Sequence, residues 1–296
     1  MNSKERILIT GADGFIGGSL CPVLKAAGYW TVAAKRQAVT PRAAGADEVI
    51  AVKDFHDSLE WREHLRDCSA VVHLLGRTPE NASGGTAREY FYVNVDITRA
   101  VAAAARHVGV KTMVCVSSVK ALGEETHGTP FTESSPCRPS SVYGLSKRAA
   151  EEMLLRNWDG SDTRLCILRP PLVYGPGVPS GFQVLEKLVR RPLPLPLKSL
   201  ENRRSLVSAD RLCKAILKCL QDPEAQGIYH VTDPEAKTMI QILRDVRARS
   251  RGRCGFFPCS PELLLKAARL FRREVQMKEL LSELLVATER NLEAEK

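Results

Sequence analysis

The sequence has few aromatic residues and lacks clustered metal ligands. Aromatic residues make up 6% of its 296 residues. None of its nine cysteines are spaced as Cys-x-x-Cys, and the closest two, Cys254 and Cys259, have no neighbouring histidine. A structural zinc site needs ligands clustered in this way. We therefore predict no metal site and reduced, mostly buried cysteines, which are typical of a cytoplasmic protein.

The sequence also lacks an apolar run long enough to cross a bilayer, which requires about 20 residues. The Leu-rich stretch at 262–286 is interrupted repeatedly by Lys, Arg and Glu. It is typical of a pair of amphipathic helices that cover a core; a helix lying in a membrane interface is the alternative. Residues 1–6 lead directly into an apolar strand, so no N-terminal signal is predicted. We expect a cytoplasmic protein without an integral membrane segment.

The chain is basic, with a formal net charge of +9 and a pI of about 9.2. Such a charge favours anionic partners without identifying one. Nucleic-acid-binding proteins usually combine basic patches with aromatic residues that stack on bases. Here the basic clusters, such as Arg190-Arg191 and Arg203-Arg204, lack interleaved aromatic residues. We therefore do not expect a nucleic-acid partner.

A glycine-rich turn follows the first apolar run. After Thr10 the chain reads Gly-Ala-Asp-Gly-Phe-Ile-Gly, and a helical pattern then continues to Ala27. Glycines permit a tight turn and a close ligand, while the N–H groups and dipole of a helix N-terminus attract an anion. Because a strand precedes this turn and a helix follows it, a dinucleotide site is favoured over a turn without a ligand. We assign to this site Gly11, Gly14, Phe15, Ile16 and Gly17.

The second predicted strand, residues 30–34, is followed by Lys35-Arg36 rather than by an acidic residue. NAD-binding proteins commonly place Asp or Glu there to bind a ribose hydroxyl, whereas basic residues can bind the 2′-phosphate of NADP. We therefore expect an NAD(P) cofactor with a preference for NADP, in contact with Lys35 and Arg36. The alternative is that both residues belong to a solvated loop.

Apolar runs alternate with helical patterns along most of the chain. Further strands are predicted at 48–52, 70–74, 112–116, 165–168 and 227–231, and a long helix at 86–107. This alternation predicts an α/β fold with a Rossmann-type doubly wound parallel sheet. Right-handed crossovers bring the carboxyl ends of the strands to one edge. We expect the segments after the strands to meet there, namely Gly11, His73-Leu74-Leu75-Gly76, Ser117-Ser118 and Arg169-Pro170-Pro171.

The character of the sequence changes after Tyr174. The proline-rich residues 192–196 cannot form the interior of a helix. We predict an NAD(P)-binding Rossmann domain at 1–174, to which residues 204–233 return. A smaller, interleaved substrate-binding cap is predicted at 175–203 and 234–296.

Tyr143 and Lys147 are four residues apart, so they share one face if a helix begins near Tyr143. A nearby cation favours phenolate over phenol. The pair is therefore suited to acid/base catalysis at neutral pH. Tyr and Lys also occur at this spacing by chance, so the interpretation depends on the glycine turn earlier in the chain.

The glycine turn, Ser117-Ser118 after a later strand and Tyr143-x-x-x-Lys147 together resemble the extended short-chain dehydrogenase/reductase family over residues 5–235. The resemblance implies NAD(P) on the Rossmann domain and a nucleotide-diphosphate sugar, such as a UDP-sugar, under the cap. It implies that Tyr143 is the acid/base, that Lys147 activates it and contacts the ribose, and that Ser118 holds the reacting sugar oxygen. By analogy with the family, a homodimer is also expected.

The resemblance implies further contacts around the cofactor and the substrate. Asn94 matches an asparagine that precedes the helix behind the cofactor. Arg203 matches an arginine that grips the substrate diphosphate, a task that suits a guanidinium fork. For His73, packing and cofactor contact are equally supported. The remaining implied contacts are Leu74, Leu75 and Gly76 for the cofactor and Lys120 for the substrate.

Two departures narrow the expected reaction. The family's 4,6-dehydratases carry Asp-Glu after a catalytic Thr, whereas this chain reads Ser118-Val119-Lys120. We therefore do not expect a dehydratase. Leu172 stands where many sugar-nucleotide epimerases place an asparagine, so the substrate contacts there must differ.

Residues 116–124 and 202–207 resemble a bacterial subgroup labelled UDP-glucose 4-epimerase-like, which also includes 4-keto reductases of surface-polysaccharide biosynthesis. We favour reduction of a UDP-4-keto-6-deoxy-N-acetylhexosamine, because NADPH suits net reduction and Lys35-Arg36 favours NADP. A UDP-glucose or UDP-N-acetylglucosamine 4-epimerase is the alternative. A noncatalytic NADP-binding regulatory protein is a more distant one.

Overall fold

The computed structural model describes residues 4–36, 45–79, 85–178, 181–290 and 292, with the backbone alone at 181–184. The strands are β1 (Arg6–Thr10), β2 (Trp30–Lys35), β3 (Glu48–Ala51), β4 (Ala70–His73), β5 (Thr112–Val116), β6 (Arg164–Arg169), β7 (Leu172–Tyr174), β8 (Arg203–Arg204), β9 (Leu206–Ser208), β10 (Gly227–His230) and β11 (Lys237–Thr238). The helices are α1 (Phe15–Ala26), α2 (Ser58–Leu65), α3 (Ala87–Phe91), α4 (Thr98–Val108), α5 (Val142–Asn157), α6 (Gly181–Arg190), α7 (Ala209–Gln221), α8 (Met239–Arg249), α9 (Pro261–Leu270) and α10 (Glu274–Leu281). Within these residues no helix is long and apolar enough to span a membrane.

Seven parallel strands form the central sheet, in the order β10-β6-β5-β4-β1-β2-β3. Its central strands are continuous apolar runs because helices cover both faces. Ile7 and Ile9 of β1 pack into the core on one face, and Leu8 packs into the core on the other. The sheet confirms the predicted Rossmann-type doubly wound α/β fold.

The order of the strands reverses at β1. From this strand the chain proceeds to β2 and β3 on one side, then crosses to β4, β5 and β6 on the other. Thr10 and His73, the last residues of β1 and β4, are register partners. In open α/β sheets, ligands bind outside the carboxyl ends of the strands at such a reversal. The crevice beyond Thr10 and His73 is therefore where a ligand site is expected.

The helix predicted at 86–107 is interrupted by one wider turn. Thr86 caps α3 in a reciprocal capping box with Glu89, and Gly109 ends α4 in the left-handed conformation. Between these helices, residues 92–97 form a π-helical turn that buries Asn94. Turns of this kind often occur at functional sites. The apolar pattern, which has the ordinary helical period, did not reveal it.

A separate hydrophobic cluster lies outside the central sheet and includes Val189, Leu200, Leu243 and Leu264. Two small sheets accompany it: β8 pairs with β11, and β9 pairs with β7. Within residues 204–233, β9 therefore pairs outside the central sheet, although its Val207 packs into the core of that sheet, and β10 joins the sheet itself. Residues 192–196 form no helix, as their prolines predict.

The segment after α10 connects this outer part of the chain to the central sheet. Leu284 forms a β-bridge with Arg204, and Val286 forms one with Phe131. Leu284 and Val286 also pack against Val119, which follows Ser118. The segment therefore packs against the start of the loop that follows β5.

His73 joins the ends of β1 and β4 to the helical layer through both ring nitrogens. Its Nδ1 lies 2.9 Å from Thr10 Oγ1, and its Nε2 lies 3.0 Å from Thr98 Oγ1. Since the Thr98 hydroxyl donates to the Asn94 carbonyl, Nε2 must carry the proton and Nδ1 must accept from Thr10. Burial, and then the Lys147 ammonium, lower the pKa of His73 to about 3. His73 is thus a neutral packing residue that fixes the strand ends.

The buried, neutral His73 makes the stability of the protein depend on pH. The pKa of His73 is about 3 in the folded protein, below the ordinary 6.5, so the unfolded chain binds the proton more tightly. The free energy of unfolding should therefore fall as the pH drops from 6.5 towards 3, by up to about 1.4 kcal/mol per pH unit from this group. His73→Asn should lose about 1–3 kcal/mol of the free energy of unfolding at pH 7, because the buried Thr98 hydroxyl loses its hydrogen bond with Nε2. Its free energy of unfolding, measured in urea, should also fall less steeply as the pH is lowered.

His127→Asn is the matched control, since the His127 side chain is 84% exposed. It should unfold like the original protein at every pH. If the free energy of unfolding fell equally steeply with pH in His73→Asn and in the original protein, His73 would not be the source of the acid sensitivity.

Candidate active site

The glycine turn leaves the N-terminus of α1 open at the carboxyl end of β1. Gly11 has φ 70°, and the N–H of Gly14 donates to its carbonyl at 3.0 Å. Gly14 precedes α1 without a side-chain cap, and the first turn of the helix has no acidic residue. The first N–H groups of a helix have no partner within it. Those of Phe15, Ile16 and Gly17 lie at this uncapped end of α1, and their contact with a cofactor stays a prediction.

Two of these glycines are required by close backbone packing. A Cβ on Gly17 would lie 2.5 Å from the Cα of Ala12, and one on Gly11 would lie 3.0 Å from the backbone N of Leu75. The turn, α1 and the segment after β4 can therefore approach one another only because side chains are missing. A narrow cradle of backbone N–H groups at a helix N-terminus fits the diphosphate of a dinucleotide.

Lys35 and Arg36, predicted to act together on a 2′-phosphate, have different surroundings. Lys35 is buried at the end of β2, and its Nζ lies 3.6 Å from Oδ2 of Asp13 in the glycine turn. Arg36 is exposed. Lys35 thus neutralises an acidic group beside the cradle, and Arg36 is the member of the pair that is open to solvent.

Asn94 holds the segment that follows β4. Its Oδ1 accepts from the N–H of Arg77 at 2.8 Å, and its Nδ2 donates to the Arg77 carbonyl at 3.1 Å and to Ser146 Oγ at 2.8 Å. Both amide hydrogens are used within the protein. Asn94 therefore positions the predicted cofactor segment, Leu74-Leu75-Gly76, and attaches it to α5.

Tyr143 lies in the first turn of α5, which begins at Val142 as the spacing predicted. One turn later, Lys147 is buried and its Nζ donates to the Val116 carbonyl at 3.1 Å. A Cβ on Gly76 would lie 3.2 Å from the same Nζ, so this glycine leaves room for the ammonium. Lys147 therefore reaches the crevice between the ends of β4 and β5.

Burial lowers the pKa of Lys147, while Cys115 and Glu151 act in the opposite direction. The Tyr143 ring meets Tyr90 edge to face, with a centroid distance of 6.3 Å. A cation held in a low dielectric acts more strongly on a neighbouring phenol than one in water. The structure places Tyr143 and Lys147 one helical turn apart on α5, and their part in acid/base chemistry stays a prediction.

Ser118 and Ser117 follow β5 and make different contacts. Ser118 is 9% exposed, and its Oγ accepts from the Lys120 N–H at 3.2 Å. The Ser117 hydroxyl instead donates to Oε1 of Glu151. Of the two, Ser117 belongs to a buried network, whereas Ser118 caps the short turn beside the start of α5.

Gly144 sets the distance between that turn and α5. A Cβ at this position would lie 2.4 Å from the Lys120 carbonyl and 2.9 Å from Cβ of Pro139. Only glycine allows this approach, which brings Tyr143 next to the Ser118 turn. Sequence reasoning missed Gly144. The available signal was a glycine in the first turn of a helix, where it weakens helix formation.

A buried ion pair also escaped the sequence analysis. Arg169, at the end of β6, donates from Nε to Glu151 Oε1 at 3.0 Å and from Nη2 to Oε2 at 2.6 Å. Their side chains are 4% and 5% exposed. This bidentate pair fixes α5 against the end of β6. The signal was Glu151, four residues beyond Lys147 and therefore on the same helical face.

The predicted substrate cations are placed near the segment that contains α10. Lys120 Nζ lies 2.6 Å from Oε1 of Glu279. Arg203 is exposed, and its Nη2 lies 3.4 Å from the Ala236 carbonyl. Its neighbour Arg204 is buried and donates to Ser282 Oγ at 2.7 Å. Contact of Lys120 or Arg203 with a substrate stays a prediction.

Comparisons with known proteins agree with this geometry. The model of the NAD dependent epimerase/dehydratase family matches residues 7–232. The UDP-glucose 4-epimerase of Vibrio cholerae is 33% identical over 249 residues, which cover 82% of this chain and 75% of that protein. The N-acetyl-alpha-D-glucosaminyl-diphospho-ditrans,octacis-undecaprenol 4-epimerase of Escherichia coli O157:H7 is 26% identical over 247 residues, covering 82% of this chain and 72% of that protein.

Among solved structures, the UDP-glucose 4-epimerase of Thermus thermophilus in complex with NAD superposes with a TM-score of 0.72 at 25% identity. The match covers 86% of each chain. These matches confirm the resemblance to extended short-chain dehydrogenase/reductases. The family model spans well over half of the sequence, and the chain therefore belongs to the NAD dependent epimerase/dehydratase family.

Proposed function

We propose that the chain is a 4-epimerase of a nucleotide-diphosphate sugar and uses NAD. The placement of Lys147 carries this proposal: its ammonium lies at the crevice between the ends of β4 and β5, one helical turn from Tyr143 and beside Gly76. A cation at this position favours the phenolate of Tyr143. The open N-terminus of α1 supplies an anion site at the neighbouring strand end.

When bound, NAD supplies a hydride acceptor and donor at the nicotinamide ring. In our mechanism the Tyr143 phenolate accepts the proton of the sugar C4 hydroxyl, and Lys147 stabilises that phenolate. Ser118 holds the C4 oxygen by a hydrogen bond. Ser118 would keep its hydrogen bond to the C4 oxygen in the keto sugar, and Tyr143 would return the proton to that oxygen once the sugar has turned its other face.

The names of two relatives indicate the substrate class. The Vibrio cholerae relative is named for UDP-glucose, and the Escherichia coli relative for a lipid-linked N-acetylglucosaminyl diphosphate. Both compounds carry a hexose on a diphosphate. We propose that residues 175–203 and 234–296 form the cap over such a substrate and that Arg203 binds its diphosphate. We also predict a cytoplasmic homodimer.

A 4-keto-sugar reductase is the second candidate, and the surroundings of Lys35 weaken it. The preference for reduction rested on Lys35-Arg36 as a binding pair for the 2′-phosphate of NADPH. Because Lys35 is buried beside Asp13, this support now rests on Arg36 alone. An enzyme that returns the hydride to its own substrate needs no exchange of cofactor, so NAD suits it.

The two reactions differ in their cofactor balance. We expect the purified protein to convert UDP-glucose or UDP-N-acetylglucosamine to the C4 epimer with no net change in nicotinamide absorbance. Product analysis by chromatography and absorbance at the nicotinamide band measure both quantities. Stoichiometric oxidation of added NADPH by a UDP-4-keto-6-deoxy-N-acetylhexosamine, without epimer formation, would instead establish the reductase.

Tyr143→Phe should lower turnover about 10²- to 10⁴-fold, the usual contribution of a positioned acid/base. The phenyl ring keeps its packing against Tyr90, so NAD binding should change little. Turnover and NAD affinity, measured by fluorescence titration, separate these effects. Tyr92→Phe is the matched control, because Tyr92 is 49% exposed and lies in the π-helical turn. Equal turnover for both variants would exclude Tyr143 as the acid/base.

Gly144→Ala should reduce activity more than it reduces stability. The added Cβ would lie 2.4 Å from the Lys120 carbonyl, which must move away and take the Ser118 turn with it. We expect a fall in turnover of at least about tenfold, in line with the cost of small misplacements, and a loss of about 1–3 kcal/mol in the free energy of unfolding.

Gly255→Ala is the control for this substitution, because a Cβ at Gly255 meets nothing within 4 Å. It should leave both turnover and the urea midpoint unchanged. Full activity in Gly144→Ala would show that the close approach of α5 does not position Tyr143.

A further inference from the structure

The hairpin formed by α9 and α10 has two apolar faces. On the inner face, Leu264 and Ala268 are each 5% exposed, and Leu264 packs into the outer hydrophobic cluster. On the outer face, Leu263 is 58% exposed and Leu270 is 79% exposed. These two leucines are seven residues apart and therefore share one side of α9. The inner face suffices to anchor the helix, so its core packing does not account for the outer leucines.

The turn between the helices extends this outer face. Phe271 is 73% exposed, and Val275, four residues later, is 76% exposed. Backbone bonds hold the turn: the Phe271 N–H donates to the Ala267 carbonyl at 3.2 Å, and the Arg273 N–H donates to the Ala268 carbonyl at 2.7 Å. We call Leu263, Leu270, Phe271 and Val275 the apolar tip.

Arg272 occupies an unusual backbone conformation within this turn. Its φ is 54°, in the left-handed region that residues other than glycine seldom adopt. A glycine there would turn the chain without strain, but it would not place a guanidinium beside Phe271. Such outliers justify a search for function.

The charges around the apolar tip are mainly positive. Arg272 and Arg273 are exposed beside Phe271. The acidic residues of α10 are already paired: Glu274 with Arg269 at 3.2 Å and with Lys278 at 3.0 Å, and Glu279 with Lys120 at 2.6 Å. The tip therefore presents apolar side chains together with two arginines whose charge is not offset by the carboxylates of α10.

We propose that the apolar tip docks this protein on an anionic lipid bilayer surface. Exposed Leu, Phe and Val side chains can enter the headgroup boundary, while Arg272 and Arg273 meet lipid phosphates. A second copy fits this surface less well, because a two-fold contact would bring the same arginines face to face.

Vesicle flotation of the full chain tests the docking. We expect binding to vesicles of phosphatidylcholine with phosphatidylglycerol, little binding to phosphatidylcholine alone, and loss of binding as salt is raised. Leu270→Ser with Phe271→Ser should weaken partition at least about tenfold, through lost apolar burial. Arg272→Gln with Arg273→Gln should weaken it about thirtyfold, at the usual worth of a basic residue near an anionic surface.

Leu59→Ser and Lys53→Gln are the matched controls, because Leu59 is 61% exposed and Lys53 is exposed on the Rossmann part of the chain. Both should bind vesicles as the original protein does, and all variants should keep the original thermal midpoint. Absence of binding to anionic vesicles would overturn the proposal, as would undiminished binding by the tip variants. A dimer in solution that Leu270→Ser dissociates would assign the tip to a second copy instead.

Discussion

The burial of one ammonium group constrains much of the candidate site. Taking the Lys147 charge out of water costs several kcal/mol unless partners replace the solvent. The Val116 carbonyl supplies one such partner at 3.1 Å, and Glu151 lies one turn further along α5. A Cβ at Gly76 would lie 3.2 Å from the ammonium, so the missing side chain gives this group room. The result is a buried ammonium group on the residue that follows Tyr143 by one turn of α5.

Several unrelated contacts serve to keep that cation in place. Asn94 ties the segment after β4 to Ser146 of α5, and the Glu151–Arg169 pair ties the same helix to the end of β6. Gly144 lets the helix approach the Ser118 turn. Each contact joins α5 to a different strand end. The geometry between Tyr143, Lys147 and Ser118 thus follows from how one helix is held at three points of the sheet edge.

Sequence periodicity and local motifs were sufficient for the parallel sheet, the glycine turn and the start of α5. They could not reveal contacts between residues far apart in the chain. The pairing of Lys35 with Asp13 depends on how β2 lies beside the glycine turn, and the preference for NADP was inferred without it. The π-helical turn at 92–97 was also missed, because the prediction treated residues 86–107 as one regular helix.

The cations predicted to bind the substrate show why residue type alone is a weak guide to role. Lys120 is paired with Glu279; burial raises the pKa of this carboxyl, but Lys120 and Arg204 lower the pKa overall, so Glu279 is ionised at neutral pH. Arg204 is buried and donates to the carbonyl of Glu279 and to Ser282, at the end of α10. Among the described residues, the guanidinium of its exposed neighbour Arg203 makes one long contact, to the Ala236 carbonyl. Of these three cations, Arg203 keeps the most hydrogen-bonding capacity for a diphosphate, because a guanidinium has five donors and this contact uses one.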